Sequence, residues 1–161
     1  MAVSAAFAAE ERPPYVVAFD IPIPVKPAAA EASTFQPPDK DKGEDFFPKN
    51  AIDGKPNTRW SSAFEEPQWI LLDLGEVYDI DKVIINWESA YAVSYKIETS
   101  ADRTSWKEVY ATDSGKGRTE TVTFPLTKTR YIKVDCLKKA GEWGFSIWEV
   151  SVYGKRKLVL F

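Results

Sequence analysis

The sequence of 161 residues contains no histidine. That removes the commonest general base, the commonest metal ligand and every Ser–His or Cys–His nucleophile pair. Cysteine is almost as scarce. Cys136 stands alone, so neither an intrachain disulfide nor a multi-cysteine metal site can form. It sits in an apolar strand pattern and reads as a buried, inert thiol. Basic residues never cluster beyond Lys155-Arg156-Lys157, and the net charge is −3. A nucleic-acid partner is therefore not expected, because phosphate binding needs a basic face. No apolar run approaches the roughly 20 residues of a membrane span, so no membrane partner is expected either. Ala2 to Ala9 resembles the small-residue end of a signal peptide, without a basic leader or a full apolar run. Secretion is the expectation it carries, and a domain of this size needs no disulfide to survive outside the cell.

Aromatic residues are plentiful: six Trp, seven Tyr and nine Phe. One core rarely needs so many, so some are expected to stand exposed as binding platforms. Met1 to Pro24 is rich in Ala and Pro, with one strand-like pentad, Tyr15 to Phe19. Lys26 to Pro48 carries Pro27, Pro37, Pro38 and Pro48 and the charged run Asp39 to Asp45, and reads as extended chain and long loop. From Trp60 onward short β-rich segments follow one another. They are Trp69 to Leu74, Lys82 to Trp87, Ser94 to Ser100, Glu108 to Ala111, Glu120 to Phe124, Arg130 to Leu137 and Ile147 to Tyr153. Turn residues separate them and no helical period intervenes, which predicts an all-β antiparallel sandwich. Gly115-Lys116-Gly117 falls between strands and reads as a turn, since the rest of a phosphate loop is missing. The apolar end Lys157 to Phe161 is an aggregation hazard if exposed, and is predicted to pair with or pack beside Tyr15 to Phe19.

Five blocks in order carry a family resemblance. The run Asn50-Ala51-Ile52-Asp53-Gly54-Lys55-Pro56-Asn57-Thr58-Arg59-Trp60-Ser61-Ser62 comes first, then Gln68 to Gly75 and Ile84 to Ala92. Tyr95 to Ser100 with Trp106, and Ser146 to Gly154, complete the set. Together they resemble discoidin domains, also called coagulation-factor type C domains, many of which in bacteria are family-32 carbohydrate-binding modules. The resemblance covers about Val25 to Gly154. It implies a jelly-roll β-sandwich of about eight antiparallel core strands with its loops gathered at one end. The domain organisation expected is a tail or linker over 1–24 with one possible edge strand, the discoidin-like domain over 25–154, and a closing strand or linker over 155–161. The lack of paired cysteines departs from the animal clotting type and shifts weight to the bacterial sugar-binding branch.

Two constellations carry chemistry. Asp53-Gly54 opens a tight turn, Thr58 follows in the same loop, and Glu149 comes from the last strand. Oxygen donors with two carboxylates suit a hard cation such as calcium, and they equally suit an Asx turn with Glu149 paired to Arg59 or a lysine. The resemblance implies a structural Ca²⁺ held by the side chains of Asp53 and Glu149, with Asn50, Lys55, Thr58 and Trp148 contributing mainly backbone oxygens. The second constellation is a loop rim. A sugar offers an apolar face that stacks on aromatic rings and hydroxyls that need planar, charged partners. Arg59, Phe64, Glu88 and Trp143 match the arginine, aromatic, glutamate and second aromatic of the chitosan- and glucan-binding branch. Tyr91, in the loop after Glu88, joins the carbohydrate-binding candidates, although packing is the plainer role for it. Trp60, Trp69, Trp87, Trp106 and Trp148 are assigned to the core. The charged run Asp39 to Asp45 is most simply a solvated loop, but in this fold it borders the binding end, where an acid favours cationic sugars.

The reading is a non-catalytic carbohydrate-binding module. It is expected to be monomeric, secreted, and joined covalently to a catalytic domain, a glycoside hydrolase that acts on mannan, chitosan or β-glucan, often at chain ends. The alternative is a discoidin-type adhesion, lipid- or protein-binding domain, which needs exposed apolar spikes ringed by basic residues. An enzyme built on two carboxylates ranks last, for want of a cleft-forming second domain.

Overall fold

A computed structural model describes residues 17–160. It contains eight strands: β1 (Val17–Val25), β2 (Ala29–Ala32), β3 (Trp60–Ser61), β4 (Gln68–Trp87), β5 (Ala92–Ser100), β6 (Lys107–Thr112), β7 (Thr119–Lys139) and β8 (Ser146–Leu160). The one helical piece among the described residues is a 3-10 turn, Pro48–Ile52. No helix there is long and apolar enough to cross a membrane. All pairings are antiparallel.

Two strands do the work of four. The segments expected separately at Trp69–Leu74 and Lys82–Trp87 are one strand, β4, and those at Glu120–Phe124 and Arg130–Leu137 are one strand, β7. The first half of β4 pairs with the second half of β7, and its second half pairs with the first half of β7 and with β8. Their pairing shifts register between Asp73 and Tyr78 and again between Ile80 and Lys82. Such bulges bend a strand, and here they carry each strand from one layer of the sandwich into the other. The second shift also explains the burial pattern. Ile70, Leu72, Leu74 and Ile80 share one phase of the alternation, and Val83, Ile85 and Trp87 take the opposite one. One extra residue flips which side chains face inward, and both sets end in the same core.

That core joins Ile97, Ile132, Val134, Cys136, Val150 and Val152 to the buried residues of β4. Fully burying an aliphatic side chain of this kind contributes about 1.5–3 kcal/mol. Cys136 is buried as expected, and burial pushes its thiol pKa up. Of the five tryptophans assigned to the core, Trp60 and Trp87 are in it, whereas Trp69, Trp106 and Trp148 are half-buried on outer faces. Trp106 lies under Lys133 and Trp148 under Arg59, so each covers a cation and stays partly open to solvent.

Within the segment read as extended chain and long loop, Ala29–Ala32 pairs with Ile70–Asp73 as a strand; the partner strand supplies the hydrogen bonds that this alanine-rich stretch does not advertise. β1 and β8 pair from Val17 with Leu160 to Val25 with Val152, so one ribbon runs through both expected domain boundaries. The predicted pairing of the two apolar pentads is present over Val17–Phe19 with Leu158–Leu160, while Tyr15, Val16 and Phe161 lie outside the described residues. Pro22 and Pro24 are tolerated because β1 is an edge strand.

Candidate functional site

The loops at one end of the sandwich enclose a cleft of about 480 Å³. Four of the five sugar-site candidates line it: Arg59 from just before β3, Phe64 from the loop after it, Glu88 at the end of β4, and Trp143 from the β7–β8 loop. Trp143 is 64% exposed and Phe64 45%, with ring centroids 5.5 Å apart in an edge-to-face arrangement. The two form an aromatic wall that is left open to solvent, against the hydrophobic preference for burial. Gly144 permits it. A Cβ there would stand 2.4 Å from the Ala63 carbonyl oxygen and 2.6 Å from Ser62 Oγ, so only glycine lets the Trp143 loop lie this close to the Phe64 loop. Lys139 ties the same loops, its Nζ donating to the Phe64 carbonyl at 2.6 Å.

Arg59 is held from all sides. Its Nη1 donates to Ser61 Oγ (2.8 Å) and Ser146 Oγ (3.0 Å). Its guanidinium lies 4.8 Å from the Phe46 ring centroid and 5.6 Å from that of Trp148. It faces Glu88 Oε2 at 4.0 Å, rather than pairing with Glu149 or Asp53. Glu88 is equally fixed. Ser89 Oγ donates to its Oε1 at 2.7 Å and the Ala90 N–H to its Oε2 at 3.1 Å. Partial burial raises the Glu88 pKa, but these hydrogen bonds and the Arg59 charge outweigh it, and the carboxyl stays below its ordinary value. A hydrogen-bonded carboxylate beside a hydrogen-bonded guanidinium suits recognition of hydroxyl pairs or an amine.

The floor is made by residues the sequence did not single out, and one wall by the charged run expected at the binding end. The hydroxyls of Ser61 and Ser146 lie 2.8 Å apart, although the residues are 85 positions apart in the chain. The charged run closes into a tight turn, with reciprocal backbone hydrogen bonds between Asp39 and Glu44 (2.8 and 3.0 Å), and its Asp39, Lys42 and Glu44 line the cleft. Tyr91 is placed elsewhere. It packs against the core, and its ring lies over Gly117, where a Cβ would come within 2.7 Å of it.

The expected cation ligands gather at the neighbouring turn. Gly54 adopts φ +73°, a left-handed conformation that lets the chain reverse there, and its N–H donates to Glu149 Oε2 at 3.1 Å. The Asx turn is formed: the Lys55 N–H donates to Asp53 Oδ1 at 2.9 Å, and Thr58 Oγ1 lies 2.9 and 2.8 Å from the two Asp53 oxygens. Asn50 is buried, and its Nδ2 donates to the Asp45 carbonyl, Asp45 Oδ1 and the Arg59 carbonyl. Trp148 lies under Arg59, next to Glu149. Neither Asp53 nor Glu149 forms an ion pair among the described residues, and no three Asp, Glu, Cys or His side chains there form a metal-sized group. Burial first, and then the Asp53 charge, raise the pKa of Glu149. Two mutually repelling carboxylates, Asp53 on the turn and Glu149 on β8, fit a hard cation whose remaining ligands are hydroxyl and backbone oxygens.

A family model for the F5/8 type C domain matches residues 29–150. Among solved structures, chitosan-binding module 1 from a chitosanase/glucanase of Paenibacillus sp. IK-5 is 36% identical, with a TM-score of 0.72 over 81% of this chain and 96% of that one. CpGH89CBM32-5 from Clostridium perfringens, solved in complex with GalNAc-β-1,3-galactose, is 28% identical, with a TM-score of 0.71 over 81% of this chain and 99% of that one. A polysaccharide lyase 8 family protein, HylA of Enterococcus faecalis, is 30% identical over 121 residues, which are 70% of this chain and 9% of the lyase. The antiparallel jelly-roll sandwich and the extent of the family match agree: the chain belongs to the F5/8 type C, or discoidin, domain family.

Proposed function

We propose that this chain is a non-catalytic carbohydrate-binding module for a β-linked polysaccharide, and that its cleft holds the sugar. One observation carries the reading: Arg59, Phe64, Glu88 and Trp143, from four separate segments, converge on one open cleft. The exposed aromatic pair offers a stacking face, and the fixed Arg59–Glu88 pair offers directional polar contacts. Asp39, Glu44 and Glu88 outnumber Lys42 and Arg59 around the cleft, which favours an amine-bearing polymer such as chitosan over mannan or β-glucan. Relatives that bind chitosan or belong to polysaccharide-degrading proteins support the same ligand class. The role is to keep a covalently attached catalytic domain at high effective concentration on its substrate outside the cell. Asp53 and Glu149 hold a structural Ca²⁺ that pins the Arg59 loop to β8.

A shallow open cleft gives a Kd of about 10⁻⁵ to 10⁻³ M, equivalent to about −7 to −4 kcal/mol. Affinity electrophoresis in gels containing chitosan, mannan or β-glucan tests the reading. Retardation by one of them, lost in Glu88→Ala and in Trp143→Ala, is the expected result. Migration unchanged by every polymer would refute it.

A further inference from the structure

A second cleft, of about 650 Å³, adjoins the first, and the two share Lys42, Glu44, Phe46 and Arg59 as a common wall. Its remaining lining includes Lys49, Asn57 and the half-buried Trp148. Asn50, Asp53, Lys55, Thr58 and Trp148, five of the six expected cation ligands, also line it, yet a cation with oxygen ligands at about 2.3–2.6 Å fills only a small fraction of such a space. Each cleft by itself falls within the roughly 300–1,000 Å³ of ordinary small-ligand sites.

Arg59 stands at the boundary between them. Phe46 and Trp148 hold its planar guanidinium. Its Nη1 is committed to Ser61 and Ser146 on the floor of the first cleft. Its Nε and Nη2 donate to no protein acceptor among the described residues. Those N–H groups, the indole of Trp148 and the Asn57 amide supply the same chemistry as the first cleft: an aromatic surface with planar hydrogen-bonding groups.

We propose that the second cleft accepts further units of the same polysaccharide chain, so that the protein recognises an internal run of the polymer laid across Arg59 rather than a single terminal sugar. This rests on the carbohydrate reading above. A lone end unit leaves the second cleft to water. An extended chain gains a second set of contacts without a second cost of association, so affinity rises with chain length.

Calorimetry of the full chain with chito-oligosaccharides of two to six units tests this. Affinity is expected to rise at least about tenfold, equivalent to about 1.4 kcal/mol, between the shortest and longest probes. Asn57→Ala is expected to abolish most of that gain. Asn57 is exposed, and unchanged binding of the shortest probe serves as the check that the variant is folded. A flat length series, or a gain untouched by that variant, overturns the internal-run assignment while leaving the carbohydrate reading intact. Failure of every oligosaccharide and of all three polymers to bind overturns both.

Discussion

At the scale of single residues, protonation separates Glu88 from its neighbours. Its pKa lies below the ordinary value, so it keeps its charge through the region near pH 4.3 where a free glutamate takes up its proton. A lowered folded-state pKa means that whatever the carboxylate contributes is present above that region, and is lost only as pH falls through the folded pKa. Ligand affinity that depends on Glu88 is therefore expected to hold through the ordinary glutamate range and to fall only at more acidic pH. Glu88→Gln, titrated by calorimetry over the same range, is expected to lose that acid limb. Glu149 shifts in the opposite direction, because burial and Asp53 disfavour its charge. If these two hold Ca²⁺, the ion at about 100 times its dissociation constant adds about 2.7 kcal/mol to stability. Chelation is then expected to lower the melting temperature of the native chain, and to leave that of Asp53→Asn unchanged.

At the scale of elements, β4 and β7 need anchoring where they change layer. Thr129, fully buried at the bend of β7, accepts from the Ser100 N–H (3.1 Å), and its Oγ1 lies 2.9 Å from the Ser100 carbonyl and 2.8 Å from that of Tyr131. Thr129→Val keeps the shape and strands the Ser100 N–H in the interior, at an expected cost of about 1–3 kcal/mol by denaturant unfolding. Strand positions were legible in the sequence because alternation of apolar residues survives in a half-buried sheet. Continuity was not. Gly75 and Pro125 look like breaks between strands, whereas the chain passes through both inside a strand. The site divides the same way. Glu88 and Trp143 were readable through the family resemblance. The Ser61–Ser146 floor depends on the pairing of β3 with β8, which no local pattern encodes. Tyr91 takes the packing role that was the plainer of its two readings, its ring turned inward onto Gly117.

At the scale of the whole molecule, the β1–β8 ribbon stands out. Directly opposed residues share a face, so Val17 with Leu160 and Phe19 with Leu158 form one apolar side, which ends where Ile21 opposes Arg156, while Asp20 opposes Lys157 on the other. Val17, Phe19, Ile21, Leu158 and Leu160 are all exposed. A flat apolar ribbon with a free edge is an association hazard. The double substitution Phe19→Lys and Leu158→Glu is expected to reduce concentration-dependent light scattering and to leave polysaccharide binding unchanged. β8 begins at the cleft with Ser146 and runs to Leu160, about 45–50 Å along one extended strand. A pull applied between a sugar gripped in the cleft and either end of the ribbon therefore acts lengthwise on β8. Its hydrogen bonds to β1 and β4 are then loaded together, in shear, instead of being peeled apart one by one. The strand that shapes the cleft is thus also the tether through which a tug reaches it, and force-extension measurements along that axis should find it the stiffest direction of the fold.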